Sequence, residues 1–146
     1  MKTIGFKKQG VGLMYGIISI VGIGILIGGC IGGGEDMLPL IILGALFTIL
    51  GGVLTVQYLM LPYEIIKLDS FGRVYLPRGV VLNPGDIVDV SYEPARAKHV
   101  TYKWGSITIT TRLDKYKYGF VADCEDTAKA IVDAVHRANY SNEEFV

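Results

Sequence analysis

Two unbroken apolar stretches fill the first half of the chain, and alternating apolar and polar positions fill the second. Residues 9–34 and 37–63 carry no Asp, Glu, Lys or Arg, and Gln57 is the one strongly polar side chain of the second stretch. As a helix rising about 1.5 Å per residue, each stretch is long enough to cross roughly 30 Å of hydrocarbon. Core strands are much shorter than either. The pattern predicts transmembrane helices over residues 11–33 and 38–61, joined by an external turn at 34–37. Pro62 stops the second helix, because proline cannot donate to the helical ladder.

Beyond that point the period changes to two. Tyr63 to Asp69 and Arg73 to Leu76 predict a strand pair around Ser70-Phe71-Gly72, with Gly72 in the left-handed position. Asp69 then faces Arg73, and Ile66, Leu68, Val74 and Leu76 share the apolar face. Pro77-Arg78-Gly79 interrupts the strand, and Val80 to Leu82 resumes it. Asn83-Pro84-Gly85-Asp86 has the Pro-Gly centre of a type II turn. Ile87 to Tyr92 predicts a strand with Val88, Val90 and Tyr92 inward. Val100 to Thr111 predicts a hairpin about a type II′ turn at Gly105-Ser106, pairing Trp104 with Ile107, Tyr102 with Ile109 and Val100 with Thr111. Tyr116 to Ala122 is a further strand, with Tyr116, Tyr118 and Phe120 on one side.

The last element is a helix. Asp123 is its predicted N-cap and Asp126 lies in its first turn. Ala128, Ile131, Val132, Val135 and Ala138 form its buried stripe. Glu125–Lys129, Lys129–Asp133 and Asp133–Arg137 are four-residue charge pairs on its wet face. The soluble domain therefore covers residues 62–139, and residues 140–146 form a flexible tail.

Composition and charge sharpen this layout. The 146 residues are 51% hydrophobic, with 19 Gly and a net charge of zero. Mean hydropathy is +0.42, which excludes disorder. Zero net charge offers no footprint for nucleic acid. Two Cys and two His make neither a disulfide framework nor a zinc site. Lys2, Lys7 and Lys8 give residues 1–10 a basic character, whereas the turn holds Glu35 and Asp36. Positive-inside logic places the amino terminus in the cytoplasm and the turn outside, so two crossings return the soluble domain to the cytoplasm of a plasma-membrane, multi-pass protein. Tyr58 and Tyr63 suit the interfacial aromatic belt.

Small residues predict how the helices pack. Gly12, Gly16, Gly24, Gly28 and Gly32 fall at four-residue steps, interrupted only at Ile20, and Gly44, Thr48 and Gly52 do the same in the second helix. Close backbone approach drives association in lipid, either within the hairpin or between protomers. Gly22-Ile23-Gly24 and Gly28 do not form a dinucleotide fingerprint, since the spacing is wrong and no strand precedes them. Ile27-Gly28-Gly29-Cys30 also resembles a prokaryotic lipoprotein signal, in which Cys30 would be acylated, but the apolar stretch exceeds the usual signal core.

Residues 63–138, with Asp86-Ile87-Val88-Asp89-Val90 after a turn, Gly105-Ser106-Ile107-Thr108-Ile109, and an aromatic strand running into Asp123 and a helix, resemble a prokaryotic pleckstrin-homology-like domain. A transmembrane hairpin before such a domain resembles a class of small bacterial and archaeal membrane proteins. The resemblance implies an α+β membrane protein: a two-helix hairpin, then an antiparallel half-open barrel or sandwich capped by its carboxy-terminal helix. Lipid-binding members of the wider superfamily carry Lys…Arg-x-Arg around the first hairpin. Lys67 and Arg73 match its first two positions, and Tyr75 replaces the last.

Candidate chemistry is sparse. His99 and His136 have no Ser, Cys or carboxylate at triad spacing. Cys124 lies in a first helical turn, where the dipole could lower a thiol pKa, but a plain small residue is the better reading there. Asp86 and Asp89 do not share a strand face. Arg96, Lys98, His99 and Lys103, with Lys67 and Arg73, form a candidate headgroup or partner patch, against the plainer reading of a charged strand edge that resists aggregation. No catalytic, metal or cofactor residues are expected. The expected function is non-catalytic: a membrane-anchored binding or scaffolding module whose partners are the bilayer and a protein or a second copy of itself. The alternatives are a small oligomeric transport or channel subunit, which the lack of intramembrane charge disfavours, and an enzyme acting on lipid or nucleotide.

Overall fold

The computed structural model describes residues 1–143. The chain divides into two compact units, one of Gln9–Leu61 and one combining Met1–Lys8 with everything from Pro62 onwards.

The first unit is a pair of antiparallel helices, α1 (Val11–Gly32) and α2 (Leu38–Met60), joined through a 3-10 turn at Glu35–Met37. Gly10 and Gly33 bracket α1 in left-handed conformations, and a proline opens α2. Both helices are long and apolar enough to cross a membrane. Neither is a buried core helix, because Leu13, Ile31, Ile49 and Leu59 are all at least two-thirds exposed.

The helix contact follows a steady antiparallel register. A Cβ on Gly29 would meet Ile41 at 2.8 Å, one on Gly44 the Leu26 amide nitrogen at 2.8 Å, one on Gly22 the Thr48 nitrogen at 2.6 Å, and one on Gly51 the Ser19 nitrogen at 2.8 Å. Gly12 meets the ring of Tyr58. Ser19 Oγ donates to the Thr48 carbonyl at 3.5 Å, while Thr48 and Thr55 hydroxyls donate back within their own helix. Of the expected stripe, Gly12, Gly44 and Thr48 lie in this contact. Gly32 touches only Met37, and Gly52 lies 3.8 Å from Ser19 Oγ. Gly16, Gly24 and Gly28 have nothing within 4 Å and face away from α2.

The second unit contains two antiparallel sheets and one helix. The first sheet has the order β1-β2-β3-β4, formed by β1 (Lys2–Phe6), β2 (Glu64–Leu68), β3 (Val74–Leu76) and β4 (Val80–Leu82). The second has the order β5-β6-β7, formed by β5 (Ile87–Ala97), β6 (Val100–Thr111) and β7 (Lys115–Val121). Helix α3 spans Cys124–Glu143. The core joins Ile65, Ile66 and Val74 of the first sheet to Ile107, Ile109 and Val121 of the second and Cys124, Ala128 and Ile131 of α3.

β1 brings the expected basic amino terminus, residues 1–10, into the second unit as a strand, where the soluble domain was expected to begin at residue 62. Lys2 to Phe6 pair with β2 in the register Lys2↔Leu68 to Phe6↔Glu64. The opposite side of this segment meets β7: Ala122 donates to the Phe6 carbonyl at 2.7 Å and Lys8 to the Phe120 carbonyl at 2.7 Å, with a bridge between Lys7 and Val121. Thr127 of α3 donates its hydroxyl to the Ile4 carbonyl at 3.1 Å. The first residues thus link both sheets and the helix.

The first predicted turn forms as expected. Gly72 has φ +74, its amide donates to the Asp69 carbonyl at 3.1 Å, and Leu68 faces Val74. A bulge at Gly5 accompanies burial of both Ile65 and Ile66, so the inward face does not simply alternate. At Pro77-Arg78-Gly79 the chain reverses and does not resume: β3 and β4 pair antiparallel, with Arg78 and Gly79 both left-handed. Asn83–Asp86 is a 3-10 turn closed by the Asp86 amide on the Asn83 carbonyl at 3.0 Å, not type II, since Gly85 lacks the positive φ that type requires. Val90 is half-buried, whereas Val88, at a register shift between Ile87 and Asp89, and Tyr92 are exposed and not inward.

The largest difference concerns Gly105. Val100 to Thr111 is one continuous strand, and the chain turns instead at Lys98-His99, pairing Ala97 with Val100. Gly105 lies mid-sheet between Pro94 and Val121, and a Cβ there would fall on the Glu93 carbonyl oxygen. Its glycine therefore serves close backbone approach and not a turn. In α3 the expected stripe is inward, joined by Cys124 and Thr127. Asp123 precedes the helix with φ +46, its carbonyl accepting the Thr127 amide. The helix continues through 140–143, four residues of the expected tail, and residues 144–146 lie outside the described residues.

Candidate functional site

The β5–β6 pair is longer than the sheet that contains it. β7 pairs with β6 only from Gly105 onward; beyond it Val100 and Thr101 pair with β5, and a register shift between Pro94 and Arg96 leaves Tyr102–Trp104 opposite Ala95. The result is a two-stranded arm ending at Lys98-His99, with Lys98 at φ +49. Arg96, Lys98, His99 and Lys103 are exposed on it. Val100 and Tyr102 are 54% and 42% exposed, giving apolar area beside the charge. At its root Trp104 stacks on Phe120, centroids 6.4 Å apart, and tilts against Tyr102 at 6.0 Å.

The remaining patch residues are elsewhere. Lys67 and Arg73 belong to the first sheet and its first hairpin. Lys67 Nζ lies 2.6 Å from Glu64 Oε2, and the hydrogen bond and charge of Lys67 hold the Glu64 carboxyl below its ordinary value of 4.5. The Arg73 guanidinium carbon sits 5.8 Å from the centroid of the Phe71 ring. Arg73 also lines an open groove of about 730 Å³ with Asp69, Ser70, Asn83, Arg137 and Ser141. The six candidates thus form two groups, four on the arm and two at the first hairpin. Lys103 also borders a smaller cavity of about 390 Å³ with Asp123, Glu125 and Asp126, where α3 begins.

The aromatic anchors separate as well. The Tyr58 ring covers Gly12 inside the helix pair. Tyr63 is 54% exposed, tilts against Phe6 at 5.7 Å, and accepts the Lys7 amide on its carbonyl at 2.8 Å. Cys30 and Cys124 are both free thiols. Cys124 is fully buried, and burial raises its pKa above the ordinary 9.0, opposing any helix-dipole activation. His99 sits in the arm's turn and His136 is exposed on α3. Among the described residues no group of three or more His, Cys, Asp or Glu is placed to hold a metal ion.

The reading of the sequence missed β1. Its own signal was the short β-branched run Thr3-Ile4 ahead of Gly5-Phe6, masked by the neighbouring lysines. Compared with known proteins, the chain matches no family model, no curated protein and no solved structure.

Proposed function

We propose that this protein is a membrane-anchored, non-catalytic binding module, held at the cytoplasmic face of the plasma membrane and acting through protein or headgroup contacts. The observation that carries the reading is the pairing of β1 with β2 across the helix pair. Phe6 and Glu64 are strand neighbours, so an inserted helix pair must return to the face from which it left. The chain leaves the domain after Lys8 and re-enters it at Pro62, so the domain is tethered twice. Such tethering makes weak surface contacts effective by raising local concentration. The three lysines of the first segment favour the cytoplasmic side. Two sheets bridged by residues 1–8, with α3 packed between them, support a pleckstrin-homology-like half-open barrel.

The experiment is recovery of the tagged full-length protein from membranes in mild detergent, coupled to thiol labelling of single-Cys variants. A stoichiometric partner or oligomer is expected, with Cys at position 36 labelled from outside and Cys at position 140 from inside. An inert monomer with both sites on one side would overturn the reading. Gly16, Gly24 and Gly28, unopposed by α2, favour a second reading as an oligomeric transport or channel subunit. Disulfide cross-linking of Gly24→Cys between protomers tests it, and flux in liposomes must accompany it.

A further inference from the structure

We propose that the free end of the β5–β6 arm docks on the surface of an anionic bilayer. Arg96, Lys98 and Lys103 supply the charge, and Val100 and Tyr102 the apolar contact. This rests on the anchored reading above and adds to it a site and a partner.

The first ground is chemistry. Between Glu93 and Asp114 the chain has no carboxylate side chain, and it holds four permanent cations, these three and Arg112 just past the far end of β6. An aliphatic and an aromatic side chain exposed among Lys and Arg match the mixed character of a headgroup boundary. At the first hairpin Lys67 is already paired with Glu64 and Arg73 shares its groove with Asp69; on the arm Lys103 likewise borders Asp123, Glu125 and Asp126, which leaves Arg96 and Lys98 nearest the free end.

The second ground is connectivity. Gly105, at the arm's root, pairs with Val121, and Val121 bridges Lys7. Phe120, on which Trp104 stacks, accepts the Lys8 amide. The arm is therefore rooted beside the residues that run into α1. The segments joining the domain to the helices, Lys8 to Val11 and Met60 to Glu64, each reach at most roughly 14 Å. Beyond the last pair with β7 the arm runs on β5 only from Pro94 to Ala97, a reach of roughly 10 Å before its turn. On the anchored reading, tethers this short keep a bilayer close to the domain. Each Lys or Arg near an anionic surface strengthens attachment about fivefold, so three supply on the order of a hundredfold.

The test uses the full-length protein in nanodiscs of phosphatidylcholine alone and of equal parts phosphatidylcholine and phosphatidylglycerol. Trp104 is the only tryptophan, so its emission reports on the arm without labelling. In the anionic discs, amide exchange across residues 96–103 should slow several-fold and Trp104 emission should shift to the blue, and both effects should fade with added salt. The triple variant R96E/K98E/K103E should lose the lipid difference while exchange at Ile107–Ile109 stays as in the parent. K115E, at the start of β7, should keep it. Identical exchange of the parent protein in both discs overturns the proposal, as does protection that appears only when an acidic protein is added. Thiol labelling of the same discs separates the two readings. A spanning helix pair with a lipid-blind arm removes this proposal alone, whereas a helix pair that never enters the disc removes both.

Discussion

At Gly22, Gly44 and Gly51 the space of one methyl group separates contact from collision between two helices. A Cβ at any of them would press on backbone of the opposite helix at 2.6–2.8 Å, and backbone cannot rotate aside as a side-chain tip can. Gly22→Ala should therefore loosen the helix pair by about 1–3 kcal/mol, read as unfolding at lower denaturant in detergent. Gly24→Ala, with open space at its Cβ, should leave that midpoint unchanged. Of the four-residue stripe visible in the sequence, Gly12, Gly44 and Thr48 serve this contact and Gly16, Gly24 and Gly28 do not. Steps of four advance about 40° around a helix each time, so a long stripe drifts off any single face. The contacts observed alternate steps of three and four, through Ser19, Gly22, Leu26 and Gly29. Cys124 carries a prediction about pH. Its folded pKa lies above the ordinary 9.0, so the unfolded thiol ionises first. Its contribution to stability is complete below pH 9 and declines as pH rises beyond it. Thermal unfolding of Cys124→Ser beside the parent should show the parent losing more stability between pH 8 and 10. Native Cys124 should also resist thiol reagents that unfolded protein consumes.

Among the elements, β6 shows how a residue's meaning depends on its neighbours. Gly-Ser between alternating residues reads as a tight turn, and Gly72 justifies that habit one hairpin earlier. Gly105 breaks it, because the crowding that demands glycine comes from Glu93 and Pro94 on the next strand, which no local pattern reveals. Gly105→Ala must displace strand β5 and should cost several kcal/mol at the upper end of overpacking penalties, a fall in Tm of ten degrees or more. A true turn glycine would fail differently, through backbone conformation. β1 was hidden for a related reason. Its partner strand lies beyond the whole helix pair, and three lysines in the first eight residues read as a topogenic tail. Deleting residues 2–6 should strip the Phe6 and Ile4 carbonyl contacts to Ala122 and Thr127 and expose the Ile66 edge. We expect loss of cooperative unfolding in the distant domain, followed by circular dichroism of the detergent-solubilised chain.

For the molecule as a whole, charge distribution made the division into apolar helices and a polar domain plain, since uncharged runs of that length have few other uses. What it concealed is that the polar domain is interrupted by the apolar one. The Lys7 amide meets the Tyr63 carbonyl at 2.8 Å, so the cut ends lie a hydrogen bond apart. Replacing residues 9–61 with a short Gly-Asn turn should therefore yield a water-soluble, monomeric protein with the same two sheets and α3. Heteronuclear NMR of that variant in plain buffer checks it, and a collapsed spectrum would show that the domain depends on its helices for more than attachment.

A strand made before both helices and paired with one made after them also sets an order of events. During synthesis, residues 2–6 emerge with no partner, and they must wait while both helices are made and β2 appears. If only one helix enters the bilayer, or the pair inserts the wrong way round for one of its ends, the waiting strand is stranded across the membrane from its mate. Such a chain has no closed sheet and remains open to quality-control proteases. On the anchored reading, completion of the fold is in this sense a receipt for correct insertion, because β1 and β2 pair across the helix pair.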